Sequence, residues 1–285
     1  MGDPDESAAH GDLPRVDASS GGGDSPVPDP LARAYEAMVR HVVGVPELAM
    51  RAATVAGRLE ALEADEAVWC LDQLIRGALW GDADAMEAML AAAYWLVTVD
   101  VDADYGWITE LFEAAYRAER ASVVAMLRDA PPVRGLAAGR KLPEVRLPLE
   151  REITLGERRM MASERERKLL DRLLMDPSPL VIGKLLSNPQ LRVRDVLVIA
   201  ARRPTVPELV NEVACHPVWF RKVEVREALA RNPFGPTGVA LKILPTLPLK
   251  MLRQVAGSGE LHELVQEAAG RLVRLREERT APWRV

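Results

Sequence analysis

Eight basic residues recur near predicted helix ends in the C-terminal half and are the side chains best suited to binding a partner. They are Arg192, Arg194, Arg202, Arg203, Arg221, Lys222, Arg226 and Arg231. When short helices stack in register, equivalent positions of successive units line one surface, so these cations are expected to form a basic stripe. Such a stripe can contact the phosphate backbone of a nucleic acid or an acidic protein surface.

Three interpretations of this stripe stay open at the level of sequence. The cations can pair with neighbouring glutamates on a solvated face, the nearest being Glu208, Glu212, Glu224 and Glu227. They can also pair with the acidic N-terminal half, or bind an external partner. The sequence pI is near 5.6, and the basic segment holds few aromatic residues besides Trp219 and Phe220. We therefore favour a protein partner and keep a nucleic acid as the alternative.

An acidic loop offers the closest match to a metal motif. Asp100, Asp102 and Asp104 alternate as in a calcium-binding loop. That loop needs glycine at its sixth position and a bidentate glutamate at its twelfth. Here the two positions hold Tyr105 and Leu111. The sequence therefore predicts a plain acidic loop that caps the following helix.

The remaining residues give no catalytic pattern. The sequence has four histidines without metal-ligand spacing. His216 follows Cys215 at a predicted helix end, where it is expected to interact with terminal carbonyls. There is no Gly-rich phosphate loop, Ser/His/Asp set or HExxH motif. We expect a non-enzymatic protein with no catalytic residues, cofactor or metal, and treat an enzyme with a cleft between domains as the weakest alternative.

The composition of the chain indicates its cellular compartment and its division into two units. Its 285 residues carry a net charge of -5, but residues 1–130 sum to -15 and residues 131–285 to +10. Such polarity suggests two units with different surfaces. Two distant cysteines suit a reducing compartment. The longest nearly uncharged apolar segment, 88–99, is too short for a bilayer, which needs about 20 residues. We expect a cytoplasmic protein without membrane contact.

The pattern of elements predicts an all-α fold with four segments. Residues 1–30 are an acidic tail expected to be disordered, because they hold few large apolar side chains. Residues 31–130 form an N-terminal helical domain, in which Asp82 caps a helix that is apolar nearly all round. A Pro/Gly-rich linker covers 131–162. Residues 163–285 form a stack of short helices with a C-terminal capping helix.

Prolines and asparagines punctuate the predicted stack. Helices are expected to start at Pro179, Pro207, Pro236 and Pro248, because the first helical position needs no backbone N–H partner. Two Asn–Pro pairs, beginning at Asn188 and Asn232, lie 44 residues apart. Asparagine tolerates the left-handed conformation that ends helices and can bond nearby backbone groups. The pattern indicates repeated helical units joined by sharp turns.

The segment ALARNPFGPTGVALKIL (228–244) resembles the leucine-rich-repeat variant unit, an all-helical relative of HEAT and armadillo repeats. The matching residues are Ala228, Leu229, Ala230, Asn232, Pro233, Pro236, Leu241 and Leu244. An earlier copy keeps Asn188 but lacks the proline that starts the second helix. Residues 155–256 also look like bacterial proteins that carry such units. The resemblance implies an α-solenoid that serves as a binding surface and leaves its chemistry open.

Overall fold

The chain is all-helical, as predicted. The computed structural model describes residues 30–99, 104–145 and 153–280. These residues contain sixteen α-helices, one 3-10 helix and no strand. The predicted tail at 1–30 lies outside the described residues except for Pro30, and Asp100 and Asp102 of the acidic loop also lie outside them.

Six helices form the N-terminal half, and α4 lies at its centre. They are α1 (Pro30–Gly44), α2 (Leu48–Glu60), α3 (Ala64–Trp80), α4 (Ala83–Thr98), α5 (Tyr105–Arg117) and α6 (Ala121–Leu127). Asp82 caps α4 as predicted, accepting hydrogen bonds from the backbone N–H groups of Asp84 and Ala85 at 2.9 and 3.1 Å. Its Ala-rich surface packs against α1, α2 and α3, and ten of its sixteen residues are buried.

Ten helices follow in the C-terminal half, with one 3-10 helix at Leu244–Thr246. They are α7 (Leu155–Met161), α8 (Arg167–Leu173), α9 (Pro179–Leu186), α10 (Val193–Ala200), α11 (Pro207–Ala214), α12 (Pro217–Phe220), α13 (Val223–Ala230), α14 (Thr237–Ile243), α15 (Leu249–Ala256) and α16 (Glu263–Thr280). Pro179 and Pro207 begin helices as predicted, whereas Pro236 and Pro248 are the N-cap residues before α14 and α15. Most of these helices span seven or eight residues, and buried turn residues such as Leu191 continue the apolar pattern between them.

Helix α7 lies within 131–162, the segment predicted to be a Pro/Gly-rich linker, so the end of that segment is helical. Thr154 and Glu157 form a capping box at its start. The Thr154 hydroxyl accepts from the N–H of Glu157 at 3.3 Å, and the Glu157 carboxylate accepts from the N–H of Thr154 at 2.9 Å. This Thr-x-x-Glu spacing is a readable helix-start signal that the surrounding prolines and glycines obscure.

The short helices stack in two layers. Arg167 of α8 pairs with Asp195 of α10 through two hydrogen bonds of 2.7 and 2.6 Å, and α10 packs on α13. Helices α9 and α11 pack together in the other layer. Helices α9 and α11 begin 28 residues apart, and α10 and α13 begin 30 residues apart. The structural unit is therefore one hairpin of 28 to 30 residues.

The two Asn–Pro pairs do not follow this period. Asn188 comes after α9 in one layer, whereas Asn232 comes after α13 in the other. Neither has a positive φ, since Glu119 is the only described non-glycine residue that does. The structure uses side-chain bonding instead of the left-handed conformation. The Asn188 amide donates to the carbonyls of Ala162 and Glu164, both at 2.8 Å, and so binds its turn to the end of α7.

A single hydrophobic core runs through both halves of the chain. Helices α3, α4 and α6 pack on α14, the 3-10 helix and α16. The Tyr94 hydroxyl of α4 donates to the carbonyl of Cys215 at 2.7 Å, and its ring lies 5.2 Å from that of Phe220. The apolar face of α16 is buried here, including Val265 and Leu272. Helix α16 therefore contacts the N-terminal helices as well as the stack.

Candidate functional site

Two of the eight predicted basic residues belong to the core. Arg202 is 8% exposed and Arg226 is 6% exposed. Arg202 donates to the carbonyl of Asp176 at 3.1 Å, and Arg226 donates to that of Phe220 at 2.7 Å. Burial lowers the pKa of both guanidinium groups, that of Arg226 to about 10. Both are structural in this conformation, because a partner at the surface cannot reach them.

Arg202 is the middle member of a polar ladder along one end of the stack. Asp176, Arg202 and Asn232 follow α8, α10 and α13. Arg202 donates to the carbonyl of Asp176, and Asn232 in turn donates to the carbonyl of Arg202 at 3.3 Å. Asp176 is fully buried, and burial raises the pKa of its carboxyl group. Arg158, which lies 3.0 Å from this carboxylate, opposes that rise only in part. Each turn is thereby fastened to the preceding one.

Four more of the predicted residues form ion pairs within the chain. The pairs are Arg194–Asp195 (3.6 Å), Arg203–Glu260 (2.8 Å), Arg221–Glu87 (3.8 Å) and Arg231–Glu227 (3.2 Å). All four arginine side chains are well exposed, so each pair contributes little stability. Arg221 also donates to the carbonyl of Pro46 at 3.3 Å. It therefore joins the basic half to the acidic half, one of the interpretations left open by the sequence.

Arg192 and Lys222 are the two predicted cations left at the surface without an ion pair among the described residues. Both are exposed. Each is the N-cap residue of a helix in the same layer, Arg192 of α10 and Lys222 of α13. Their equivalent positions are what a repeated stack predicts. The expected stripe of eight cations thus reduces to two equivalent residues with ion-paired arginines nearby.

Exposed apolar side chains are frequent on α7 to α12 and their turns. They are Leu155, Met160, Met175, Leu180, Val198 and Val218. Met175 and Leu180 flank the turn between α8 and α9, with exposures of 44% and 53%. The N-terminal helices pack mainly on α14, the 3-10 helix and α16, and α2 also contacts α12, which leaves α7 to α11 less covered. The sequence did not identify this surface, because the same leucines and methionines fit a buried stripe equally well.

A half-open cleft of about 540 Å³ lies where α5 and α6 meet α14 and α16. Its apolar lining comes from both halves of the chain and includes Val124, Leu241 and Leu264. Tyr116 also lines the cleft and is two-thirds exposed, with its ring stacked beside that of Phe112. The enclosure exists only because the N-terminal helices pack on α14 and α16.

The same cleft contains four charged side chains, two acidic and two basic. Glu119 and Arg128 come from the α5–α6 side, and Glu267 and Arg271 come from α16. Glu119 lies in the tight turn before α6 with a φ of 53°. The Nε atom of Arg271 is buried and has no hydrogen-bond acceptor among the described residues. Sequence reasoning missed this set because 143 positions separate its two arginines.

Among the described residues, His216 and Asp104 of the acidic loop do not form a site. The Nδ1 atom of His216 is buried without a hydrogen-bond partner among the described residues, and its ring lies 6.2 Å from that of Trp219. Asp104 precedes α5 but makes no side-chain capping bond. Among the described residues, no three His, Cys, Asp or Glu side chains come together to hold a metal ion. No helix in the described ranges is long and apolar enough to cross a bilayer.

Comparison of the chain with protein-family models, curated proteins and solved structures found no significant match.

Proposed function

We propose that the chain is a non-enzymatic cytoplasmic scaffold or adaptor that binds a protein partner through the outer surface of α7 to α12. The observation that carries this proposal is the concentration of exposed apolar side chains there, above all Met175 and Leu180 on one hairpin. Exposed methionine and leucine adapt to a partner's shape and release water when covered. The repeat-like stack supports the same function, because its neighbouring hairpins present an extended surface.

The nucleic-acid alternative has weaker support. Arg202 and Arg226 are buried, and four other cations are ion-paired within the chain. Arg192 and Lys222 alone would neutralise about two phosphates, which gives weak binding with a shallow salt dependence. Of the eight predicted cations, these two are the ones that remain exposed without an ion pair among the described residues.

The proposal is tested with a double variant, Met175→Lys with Leu180→Glu. Each charge suits its place, because a cation is favourable near the end of α8 and an anion near the start of α9. The matched control is Met50→Glu, which replaces an equally exposed apolar residue near the start of α2. Tagged full-length chains are crosslinked in their source cells, and recovered proteins are quantified.

We expect the double variant to lower recovery of a specific protein by roughly tenfold, because an interface anchor contributes about 1–2 kcal/mol. The control should recover it as the unmodified chain does. Equal recovery by the double variant would contradict the proposal. Binding of a fluorescent generic duplex at low salt, lost in Arg192→Glu with Lys222→Glu, would support the nucleic-acid alternative instead.

A further inference from the structure

The cleft between α5–α6 and α16 has the features of a small-molecule site. Its volume of about 540 Å³ falls within the range of about 300–1,000 Å³ that is usual for ligand pockets. Pockets of this kind combine an apolar lining with a few polar groups that fix orientation. Here Val124, Leu241 and Leu264 supply apolar surface, and charged residues stand on two sides.

The charges in the cleft are not used within the protein. Among the described residues, Glu119, Arg128, Glu267 and Arg271 take part in no ion pair or side-chain hydrogen bond. Glu267 and Arg271 are four residues apart on α16, a spacing at which such side chains commonly pair. Ion pairs of this type occur elsewhere in the chain, for example between Arg231 and Glu227. The cleft therefore holds four charged groups ready for external partners.

Arg271 gives the strongest indication of a ligand. Its side chain lines the cleft and takes part in no hydrogen bond or ion pair among the described residues. A carboxylate is well suited to this position because it can accept two parallel hydrogen bonds from a guanidinium group. Arg128 lines the same cleft and provides a second cation.

We propose that the cleft binds a short peptide with free termini. Its carboxylate would bind Arg271 and Arg128, its ammonium group would bind Glu119 or Glu267, and apolar side chains would contact Leu241 and Leu264. The balance of two acids and two bases favours a zwitterion over a polyphosphate, which the carboxylates would repel. This site goes beyond the proposed scaffold function, because it lies apart from α7 to α12.

The experiment measures binding of trileucine to the full-length chain by isothermal titration calorimetry. Two modified ligands, N-acetylated trileucine and trileucine amide, each remove one terminal charge. The variants are Arg271→Gln and Arg128→Gln, and circular dichroism checks that each is folded. The matched control is Arg274→Gln, a substitution on the same helix at a residue outside the cleft lining.

We expect trileucine to bind the unmodified chain saturably. Its affinity should fall by roughly tenfold in Arg271→Gln, and the amide and the acetylated peptide should each bind the unmodified chain roughly tenfold more weakly than trileucine. Arg274→Gln should bind as the unmodified chain does. If Arg271→Gln does not fold, Arg128→Gln carries the same expectation. The proposal is overturned if trileucine does not bind at millimolar concentrations. It is also overturned if the two modified peptides bind the unmodified chain as tightly as trileucine does and the folded cleft variants bind trileucine as tightly as the unmodified chain does.

Discussion

Asp129 accepts a hydrogen bond from the backbone N–H of Gly238 at 2.8 Å, although 109 positions separate the two residues in the chain. Gly238 lies in the first turn of α14, whose own N-cap residue, Pro236, makes no side-chain bond. Asp129 therefore caps a helix of the other half. The absence of a side chain at Gly238 permits this, because a Cβ there would lie 2.6 Å from the Asp129 carboxylate oxygen.

Replacing Asp129 by alanine should weaken the joint between the two halves. The variant loses the cap of α14, and the half-buried Lys242 loses the nearby carboxylate that favours its charged form. We expect the free energy of unfolding in urea to fall by about 1–2 kcal/mol. The matched control is Glu113→Ala, an exposed position within α5 that should change stability by less than about 0.5 kcal/mol. Equal stability of the two variants would show that this cap contributes nothing.

Replacing Asn232 by alanine should destabilise the polar ladder. Its buried amide donates to the carbonyls of Ala200 and Arg202 at 2.8 and 3.3 Å, and its oxygen accepts from the N–H of Phe234 at 3.1 Å. Removing it leaves buried backbone groups without partners, so we expect a loss of about 2 kcal/mol in urea unfolding. Asn211→Ala changes an exposed asparagine on α11 and serves as the control. A loss no larger than that of the control would refute the structural role of Asn232.

The half-buried imidazole of His216 should make stability depend on pH. Burial lowers its pKa in the folded protein, so the unfolded chain takes up a proton first as the pH falls. The contribution of the neutral His216 side chain to the free energy of unfolding is complete above the ordinary histidine pKa of about 6.5 and is lost progressively below that value. We therefore expect His216→Asn to have a shallower decline in unfolding free energy between about pH 7 and pH 5 than the unmodified chain. Parallel curves for the two proteins would contradict this expectation.

Local signals made part of the fold predictable. Asp82 begins α4, and Pro179 and Pro207 begin α9 and α11, because capping and proline chemistry act within a few residues. The box formed by Thr154 and Glu157 was equally local, but nearby prolines and glycines made an irregular linker the simpler interpretation. The 44-residue spacing of the Asn–Pro pairs does not give the length of the structural unit, because the two asparagines follow helices in different layers.

The sequence did not predict the candidate binding residues correctly, because tertiary contacts decide which cations are buried and which lie together. Arg202 and Arg226 looked like surface cations, but their guanidinium groups bond buried carbonyls, and arginine is rarely buried without such partners. The cleft brings Arg128 together with Arg271 only because α6 packs on α16. On the sequence alone, Arg271 was one basic residue among several near the end of a helix.

The packing of the N-terminal helices also constrains how many hairpins can lie between two points of the stack. Tyr94 donates a hydrogen bond to the carbonyl of Cys215, and Asp129 accepts one from the N–H of Gly238, so the N-terminal helices are attached to the stack at both positions. Insertion of one more hairpin between these points would displace one attachment from the other by about 10 Å, the distance between packed helices. An open solenoid can lengthen anywhere by duplication of a unit. In this chain, an added hairpin between Cys215 and Gly238 would break one of these two contacts, whereas one next to α7 would leave both intact.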